Sequence, residues 1–474
     1  MIVMKFGGSS VQDATMLEQV AHLVGAARGL QPCVVVSAMG KTTDALFAAA
    51  RRARLGHYDL ALATVAPQLA HAEETARRLL GKDATECLRT LATMRDELHV
   101  LLRGVSLLRE LTPRTTDTIV AYGERTTTLL LAALLNARGI PATRVDARLV
   151  LRTDDRFGAA RPQLDAIAGL ARRHVLPALE DGRVVVMEGY IGASADGSTT
   201  TLGRGGSDWS AALLGGVLRA DEVQIWTDVE GVLTADPRLV PDARPVPVLR
   251  PAVAAELAAF GAKVLHPATM QPAVDAGVPI TVRDTQRPGG AFTTIDPRAV
   301  ASGRCGVEAL ATRGPVTVLT MTSTRMLATS GYLAQLFAAF GKLDVCVDLV
   351  VTAEVSVACT VAADAPIDQL IEALDDFCRI EVAPGRAIVA AIGEDLRKAP
   401  GTLERACRAL APLTPELLCF GGNDRNLSFV LPGSEVKAAM QRLHAEFFGS
   451  EAALRRDPRV AARTHEGRVS EVSS

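Results

Sequence analysis

From residue 316 to residue 431 the sequence repeats itself at an offset of 70, which limits the fold of the last third more than any other feature. Without a gap, the offset pairs Gly331 with Gly401, Leu333 with Leu403, Phe340 with Leu410, and Ser356-Val357 with Asn426-Leu427. Each copy opens on an apolar strand, Val316 to Leu319 or Ala387 to Ala391. A glycine and a helical stretch follow, GYLAQLFAAF or GTLERACRAL. Two further strands close the unit, DVCVDLVV with VSVACTV, or PELLCF with NLSFVL. Self-similarity at a fixed period marks one supersecondary unit used twice. A unit of ~70 residues has little core of its own, so the two copies are expected to share one larger sheet. The boundaries implied are 315–384 and 385–448. A linker is expected at 296–314, where Pro, Gly, Ala and Thr replace periodicity, and a disordered tail at 449–474.

Residues 1–295 have a different pattern. The strand Ile2 to Phe6, the Gly7-Gly8 turn, a helical pattern over about 13–28 and the strand Val34 to Val36 form a βαβ unit. A second βαβ unit runs through Val184 to Met187, the glycine-rich Leu202 to Ser207, a helical Trp209 to Leu218 and Val223 to Trp226. Strands joined by crossover helices imply a mainly parallel sheet in an α/β domain. Between the two units, residues 45–106 are Ala, Leu, Arg and Glu at helical spacing, read as a helical insertion.

A formal charge of −2 and an aromatic content of 4% leave neither an electrostatic pull toward nucleic acid nor a base-stacking surface. Glycines at positions 7 and 8 interrupt the first apolar run too early for a secretion signal, and no run is long enough to span a bilayer, so a cytoplasmic protein is expected. Eight cysteines lack any C-x-x-C spacing; each is expected to be a small buried hydrophobe, with neither disulfides nor a protein-held metal.

Two motifs mimic nucleotide signatures. Gly40-Lys41-Thr42 resembles the end of a phosphate-binding P-loop, but Val35 stands where that loop requires glycine. Gly203-Arg204-Gly205-Gly206-Ser207-Asp208 starts like a dinucleotide fingerprint, yet Asp208 occupies the position of its third small residue. What remains is two glycine-rich turns, each running from a strand into a helix. Such turns aim backbone N–H groups and a positive helix end at an anion. Lys5 ends the strand before the first turn. In the second, Arg204 is suited to clamp a carboxylate, and Asp208 reads equally as a helix N-cap. Thr227-Asp228 ends a further strand.

The ordered set MKFGGSS, VVVSAMGKTTD, YGERTTT, TLGRGGSD, TDVEGVLTADPR and FGAKVLHPA, spread from residue 4 to 268, resembles the aspartate kinase family within the amino acid kinase fold. The repeat extends the resemblance, since these kinases carry paired ACT modules of ferredoxin-like βαββαβ form that bind regulatory amino acids. The family implies that Lys5, Phe6, Gly7 and Gly8 meet the ATP phosphates, with Lys5 and Asp208 catalytic. It implies that Thr43, Glu124 and Arg204 hold L-aspartate, and that Thr227, Asp228, Leu233, Arg238 and Lys263 meet the nucleotide. Leu233 departs from the aromatic residue often found there, and His266 is assigned a structural role. Mg2+ would come with ATP. A side-chain carboxylate of pKa ~3.9 is already ionised at neutral pH, so no general base is needed and the lack of a central histidine is consistent.

The first repeat resembles the lysine-sensitive branch, which implies effector contacts at Met326, Thr329, Tyr332, Leu333 and Asp348. Asp348 lies among Val345, Val347, Leu349 and Val350, where a carboxylate needs either an exposed strand end or a cation; Leu418 stands at the equivalent place in the second copy. The expected assembly is a homodimer through the ACT modules, possibly a tetramer. No fused dehydrogenase, such as some relatives carry, is expected, since few residues follow Phe448. Two rival readings are a kinase for another amino acid, which should lack the repeat, and a catalytically silent amino acid sensor.

Overall fold

The computed structural model describes residues 1–261, 267–299, 306–327 and 329–449 and divides into two units. Lys263, His266 and the tail after residue 449 lie outside the described residues. The first unit comprises residues 1–232, 247–254 and 265–300; the second comprises 233–246, 255–264 and the chain from 301 onward.

In chain order, the elements up to residue 299 are β1 (Ile2–Phe6), α1 (Ala14–Ala26), β2 (Pro32–Val36), α2 (Thr42–Arg54), α3 (Tyr58–Leu80), α4 (Ala84–Leu108), α5 (Pro113–Val120), α6 (Tyr122–Ala137), β3 (Ala142–Val145), α7 (Leu164–His174), α8 (Leu176–Glu180), β4 (Val184–Glu188), β5 (Ile191–Ala193), β6 (Thr199–Thr201), α9 (Gly206–Leu218), β7 (Glu222–Thr227), β8 (Val248–Leu249), α10 (Pro251–Ala259), α11 (Pro267–Asp275), β9 (Ile280–Asp284) and β10 (Thr293–Ile295). Eight strands form one sheet in the order β3-β4-β2-β1-β7-β9-β10-β8, parallel except where β10 runs against β9. β1, β2 and β4 are buried along their whole length, as strands covered on both faces must be. The chain leaves β1 toward β2 on one side and β7 toward β8 on the other, so the order reverses between β1 and β7. The carboxyl ends of the central strands therefore open a crevice there. The inserted segment is three helices, α2, α3 and α4, whose buried faces meet around Leu46, Val65, Leu98 and Leu102. It starts at Thr42, inside the SAMGKTT motif, rather than at 45.

The elements of the second unit's carboxyl part are β11 (Gly306–Thr322), α12 (Tyr332–Lys342), β12 (Val347–Thr352), β13 (Ser356–Ala362), α13 (Ile367–Leu374), β14 (Arg379–Glu394), α14 (Thr402–Leu410), β15 (Leu417–Phe420), β16 (Asn426–Pro432) and α15 (Val436–Phe448). One six-stranded sheet, β12-β13-β11-β14-β16-β15, carries both repeats. Two expectations change here. Residues 306–314 are not linker but the first half of β11, which pairs with the second half of β14 through Leu310↔Ala391 and Thr312↔Val389. The second half of β11 pairs with β13 and with the first half of β14. The second module thus takes its fourth strand from residues ahead of the first, so the first module is inserted within it, and the boundaries 315–384 and 385–448 miss that exchange. Residues 233–246 and 255–261 also belong to this unit rather than to a catalytic domain running to 295: Ala235 and Val240 pack into the core of Phe429, Leu443 and Phe447.

The cysteine expectation holds only in part. Cys33, Cys87, Cys359 and Cys378 are buried, whereas Cys346 and Cys407 are exposed. Among the described residues, no helix is long and apolar enough to cross a membrane, and no group of three or more His, Cys, Asp or Glu side chains could hold a metal ion.

Candidate active site

The crevice is built at the carboxyl ends of β1, β2, β4 and β7. Parallel register sets Phe6 beside Val36 and Trp226, so the segments leaving these strands emerge side by side. After β1 the chain bends at Gly7, whose N–H donates to the Trp226 carbonyl (3.2 Å), and enters a single 3-10 turn from Gly8 to Val11. Gly8 faces the loop after β2: a Cβ there would stand 3.0 Å from the Ala38 carbonyl oxygen, and the Gly8 carbonyl accepts from the Gly40 N–H. A side chain there would force the facing loop to give by a few tenths of an ångström.

Lys5 is buried, and its Nζ lies 2.6 Å from Asp208 Oδ1. A Cβ on Gly7 would stand 3.4 Å from that ammonium, which places the charge directly over the first turn. Asp208 sits in the first turn of α9, and the N-cap position is taken by Gly205 in a left-handed conformation (φ 72°). The N-cap reading of Asp208 is therefore wrong: its carboxylate faces Lys5 across the crevice. The second turn is seated tightly on the end of β4, where a Cβ at Gly189 would fall 2.7 Å from Ser207 Cβ and one at Gly206 the same distance from Tyr190 Cδ2. Arg204 is exposed at the lip of this turn, with no carboxylate partner among the described residues. Ion pair, glycine turns and free guanidinium belong to one unit.

Glu124 lies in the first turn of α6 and is buried. Its Oε1 accepts from the Ala38 N–H (3.2 Å), and its Oε2 has no hydrogen-bond partner among the described residues. Burial without a cation pushes the carboxyl up to about 8, with the backbone N–H of Ala38 opposing the shift and nearby Glu188 adding to it. Glu188, at the end of β4, is fully buried and accepts from Thr128 Oγ1 (2.9 Å) and the Ala147 N–H (2.8 Å). Thr43 is half-buried on the first turn of α2. Thr227 ends β7 beside the first turn, and its hydroxyl donates to Asp228 (3.2 Å).

Not every expected residue joins this group. Leu233 and Arg238 belong to the second unit, where the Arg238 guanidinium pairs with Asp236 (2.6 Å). Sequence reasoning missed Tyr190, whose left-handed backbone (φ 68°) is rare in an aromatic residue and sets it against Gly206, and Asp117, a buried carboxylate on α5. The sequence signal for the first was only a strand ending in Gly189-Tyr190; for the second there was none.

In the second unit, Asp348 lies on the edge strand β12 with its side chain mostly buried, and its Oδ1 is 2.8 Å from Arg313 on β11. Its Oδ2 has no hydrogen-bond partner among the described residues, and burial raises its carboxyl while Arg313 opposes the shift. Tyr332 is buried in a stack on Phe377 (4.4 Å between ring centroids), and Met326 packs on the same core. Thr329 and Leu333 face solvent.

A parallel sheet whose switch point carries two glycine turns, a lysine and an aspartate defines a small-molecule kinase, and residues 1–284 match the model of the amino acid kinase family. Over 467 residues the chain is 38% identical to lysine-sensitive aspartokinase 3 of Escherichia coli, covering 94% of this chain and 99% of that one. Over 461 residues it is 34% identical to chloroplastic aspartokinase 1 of Arabidopsis thaliana, covering 94% and 80%. The crystal structure of E. coli aspartokinase III with lysine and aspartate superposes with a TM-score of 0.81 at 37% identity, covering 94% of this chain and 99% of that one. The same enzyme with aspartate and ADP gives 0.79 at 36% identity, over 94% and 100%. The chain belongs to the aspartokinases of the amino acid kinase family.

Proposed function

We propose that this chain transfers the γ-phosphoryl group of ATP to the side-chain carboxylate of L-aspartate, giving 4-phospho-L-aspartate and ADP. The observation that carries this is the Lys5–Asp208 pair set between two glycine turns, with a buried, unpaired carboxylate at Glu124 in the same unit. Glu124 receives the substrate ammonium, Arg204 its α-carboxylate, and Thr43 offers a hydroxyl. The remaining carboxylate attacks the γ-phosphorus as the bond to the bridging oxygen breaks and ADP leaves with the electron pair. Two anions must approach in line, so positioning and charge neutralisation are the catalytic task. Lys5 meets the charge on the moving group, and Asp208 holds the ammonium in place. Gly7, Gly8, Phe6, Thr227 and Asp228 line the phosphate side. Mg2+ fits as an ion carried by the nucleotide phosphates, whose charge it offsets, since Asp208 is already engaged by Lys5.

Release of ADP with aspartate, glutamate or N-acetylglutamate as acceptor tests this reading. Turnover with aspartate alone supports it, and turnover with either of the others instead overturns it. Absence of turnover with all three favours the silent sensor. Gly8→Ala adds a sharper check: the new Cβ would crowd the Ala38 carbonyl at 3.0 Å and push the two loops apart by a few tenths of an ångström, and the ATP KM is expected to rise ~10-fold. An unchanged ATP KM would remove this turn from the nucleotide site.

For regulation, the proposed effector is L-lysine, as the name of the E. coli relative suggests, bound at the first module of units that pair through their regulatory sheets as a dimer or tetramer. The buried Asp348 carboxylate supports this, because it is already arranged to hold a cation, at present Arg313. A lysine ammonium would take over or share that partner. An effector inhibits only by preferring an inactive arrangement. Asp348→Ala is expected to raise the lysine concentration for half-inhibition ~10-fold or more, as loss of a charged hydrogen bond in a half-buried site does. Equal inhibition of the two forms would exclude Asp348 from the effector site.

A further inference from the structure

Asp117 has no place in the reaction, yet its carboxylate is one of the most fully satisfied in the first unit. It is 1% exposed. Its Oδ2 accepts from the N–H groups of Gly158 and Thr201 (2.9 Å each), and its Oδ1 accepts from the Thr201 hydroxyl (2.8 Å). Burying a carboxylate is expensive, and three donors from two distant segments converge to offset the cost. All three lie where the acceptor site is built. Thr201 ends β6 and runs directly into Leu202 and the turn that carries Arg204. Gly158 abuts that turn from below: a Cβ on Gly203, itself left-handed (φ 78°), would stand 3.2 Å from the Gly158 carbonyl oxygen. The Ala160 N–H donates to the Thr201 carbonyl (2.9 Å), so the 158–160 loop and β6 move together.

At its other end, Asp117 belongs to α5, which turns at Ala121 into α6 and reaches Glu124 within one further turn. The Ala121 N–H donates to the Asp117 carbonyl, so the corner between the two helices is hydrogen-bonded at this very residue.

We infer that Asp117 is a positioning residue of the acceptor site, a strut that fixes the separation between Glu124 and Arg204. The inference rests on the reading of those two side chains as the groups that hold the acceptor's ammonium and α-carboxylate. A rigid separation is what distinguishes one amino acid from a longer or inverted one, because both charges must be met while the side-chain carboxylate stays in line. The nucleotide side of the crevice, at Gly7 and Gly8, has no contact with Asp117 in this network.

The test is steady-state kinetics on full-length variants, with thermal unfolding followed in parallel. Asp117→Ala is expected to raise the aspartate KM ~10-fold or more, leave the ATP KM within about twofold, and lower the ratio of kcat/KM for aspartate over glutamate. Asp117→Asn is expected to recover most of the parental aspartate KM, since its carbonyl can accept from both N–H groups while its amide donates to Thr201. Should Asp117→Ala not fold, Thr201→Val removes the hydroxyl's bond to Asp117, together with its hydrogen bond to Tyr190, and is expected to raise the aspartate KM ~3-fold or more. Equal rises in both KM values, or a lowered melting temperature with both KM values unchanged, would reduce Asp117 to a structural carboxylate and overturn the proposal. Arg204→Ala separates the two levels: an aspartate KM unmoved by that change refutes the reading of the acceptor site, whereas a raised KM there with none in Asp117→Ala or Thr201→Val refutes the strut alone.

Discussion

Lys5→Ala is expected to turn over ~10² to 10³ times more slowly than the parent, with its substrate KM values much less affected. The Lys5 ammonium is buried, 2.6 Å from Asp208, and suspended over the Gly7 backbone. A charge so fixed needs no reorganisation when negative charge shifts onto the transferring oxygens, and losing one such preorganised group typically costs a factor of this size. Removing the ammonium also leaves Asp208 facing the incoming phosphates as an unpaired anion, which adds to the loss. Measurement of kcat at saturating ATP and aspartate, on protein whose circular dichroism matches the parent, decides the point. A kcat within about threefold of the parent would remove Lys5 from the chemistry.

The second large effect belongs to Glu124 and carries a pH signature. In the free enzyme its carboxyl is pushed up to about 8 by burial, so near neutral pH it is mostly protonated. An acceptor ammonium requires the carboxylate. Binding at pH 7 must therefore expel a proton, and kcat/KM for aspartate is expected to rise with pH and level off above about 8. Glu124→Gln should abolish that limb and raise the aspartate KM ~100-fold, because a buried ammonium loses its counter-charge. The same shift predicts a gain in stability for the variant. A carboxyl whose folded-state pKa lies above its unfolded value keeps its proton in the folded chain while the unfolded chain loses it. The parent therefore loses stability as pH rises from the ordinary carboxylate range to about 8, and the glutamine variant does not. A parental kcat/KM that is flat between pH 6.5 and 8.5, given as ~2 units around the group's pKa, would contradict the assignment.

Much of this arrangement is local enough to be read from the chain. β1, the Gly7-Gly8 bend and the Leu202–Ser207 turn follow from short apolar runs meeting glycines, and the repeat exposes two similar modules in one sheet. What escapes is what distant segments decide together. Residues 306–314 end at Gly314, just before Pro315, and lack alternation, so they read as linker, but pairing with β14 from Gly306 to Thr322 makes them strand. Asp208 precedes the helical run that begins at Trp209 and so reads as its cap, but α9 starts earlier, at Gly206 with Gly205 as N-cap, which leaves Asp208 in the first turn facing Lys5. Asp348 was legible as a carboxylate in need of a cation; that Arg313, 35 positions earlier, already supplies one was not. Asp117 carries no motif, since its partners lie 41 and 84 residues away.

The most direct test of the central claim traps the product. An acyl phosphate is a mixed anhydride, and hydroxylamine converts it to a hydroxamate while leaving free carboxylates untouched. With ATP, Mg2+, L-aspartate and hydroxylamine, the parent enzyme is expected to form aspartyl hydroxamate in equal amount to ADP, and Lys5→Ala to form both more slowly by the same factor. ADP released without hydroxamate, or at a rate indifferent to aspartate, would contradict phosphoryl transfer to the carboxylate.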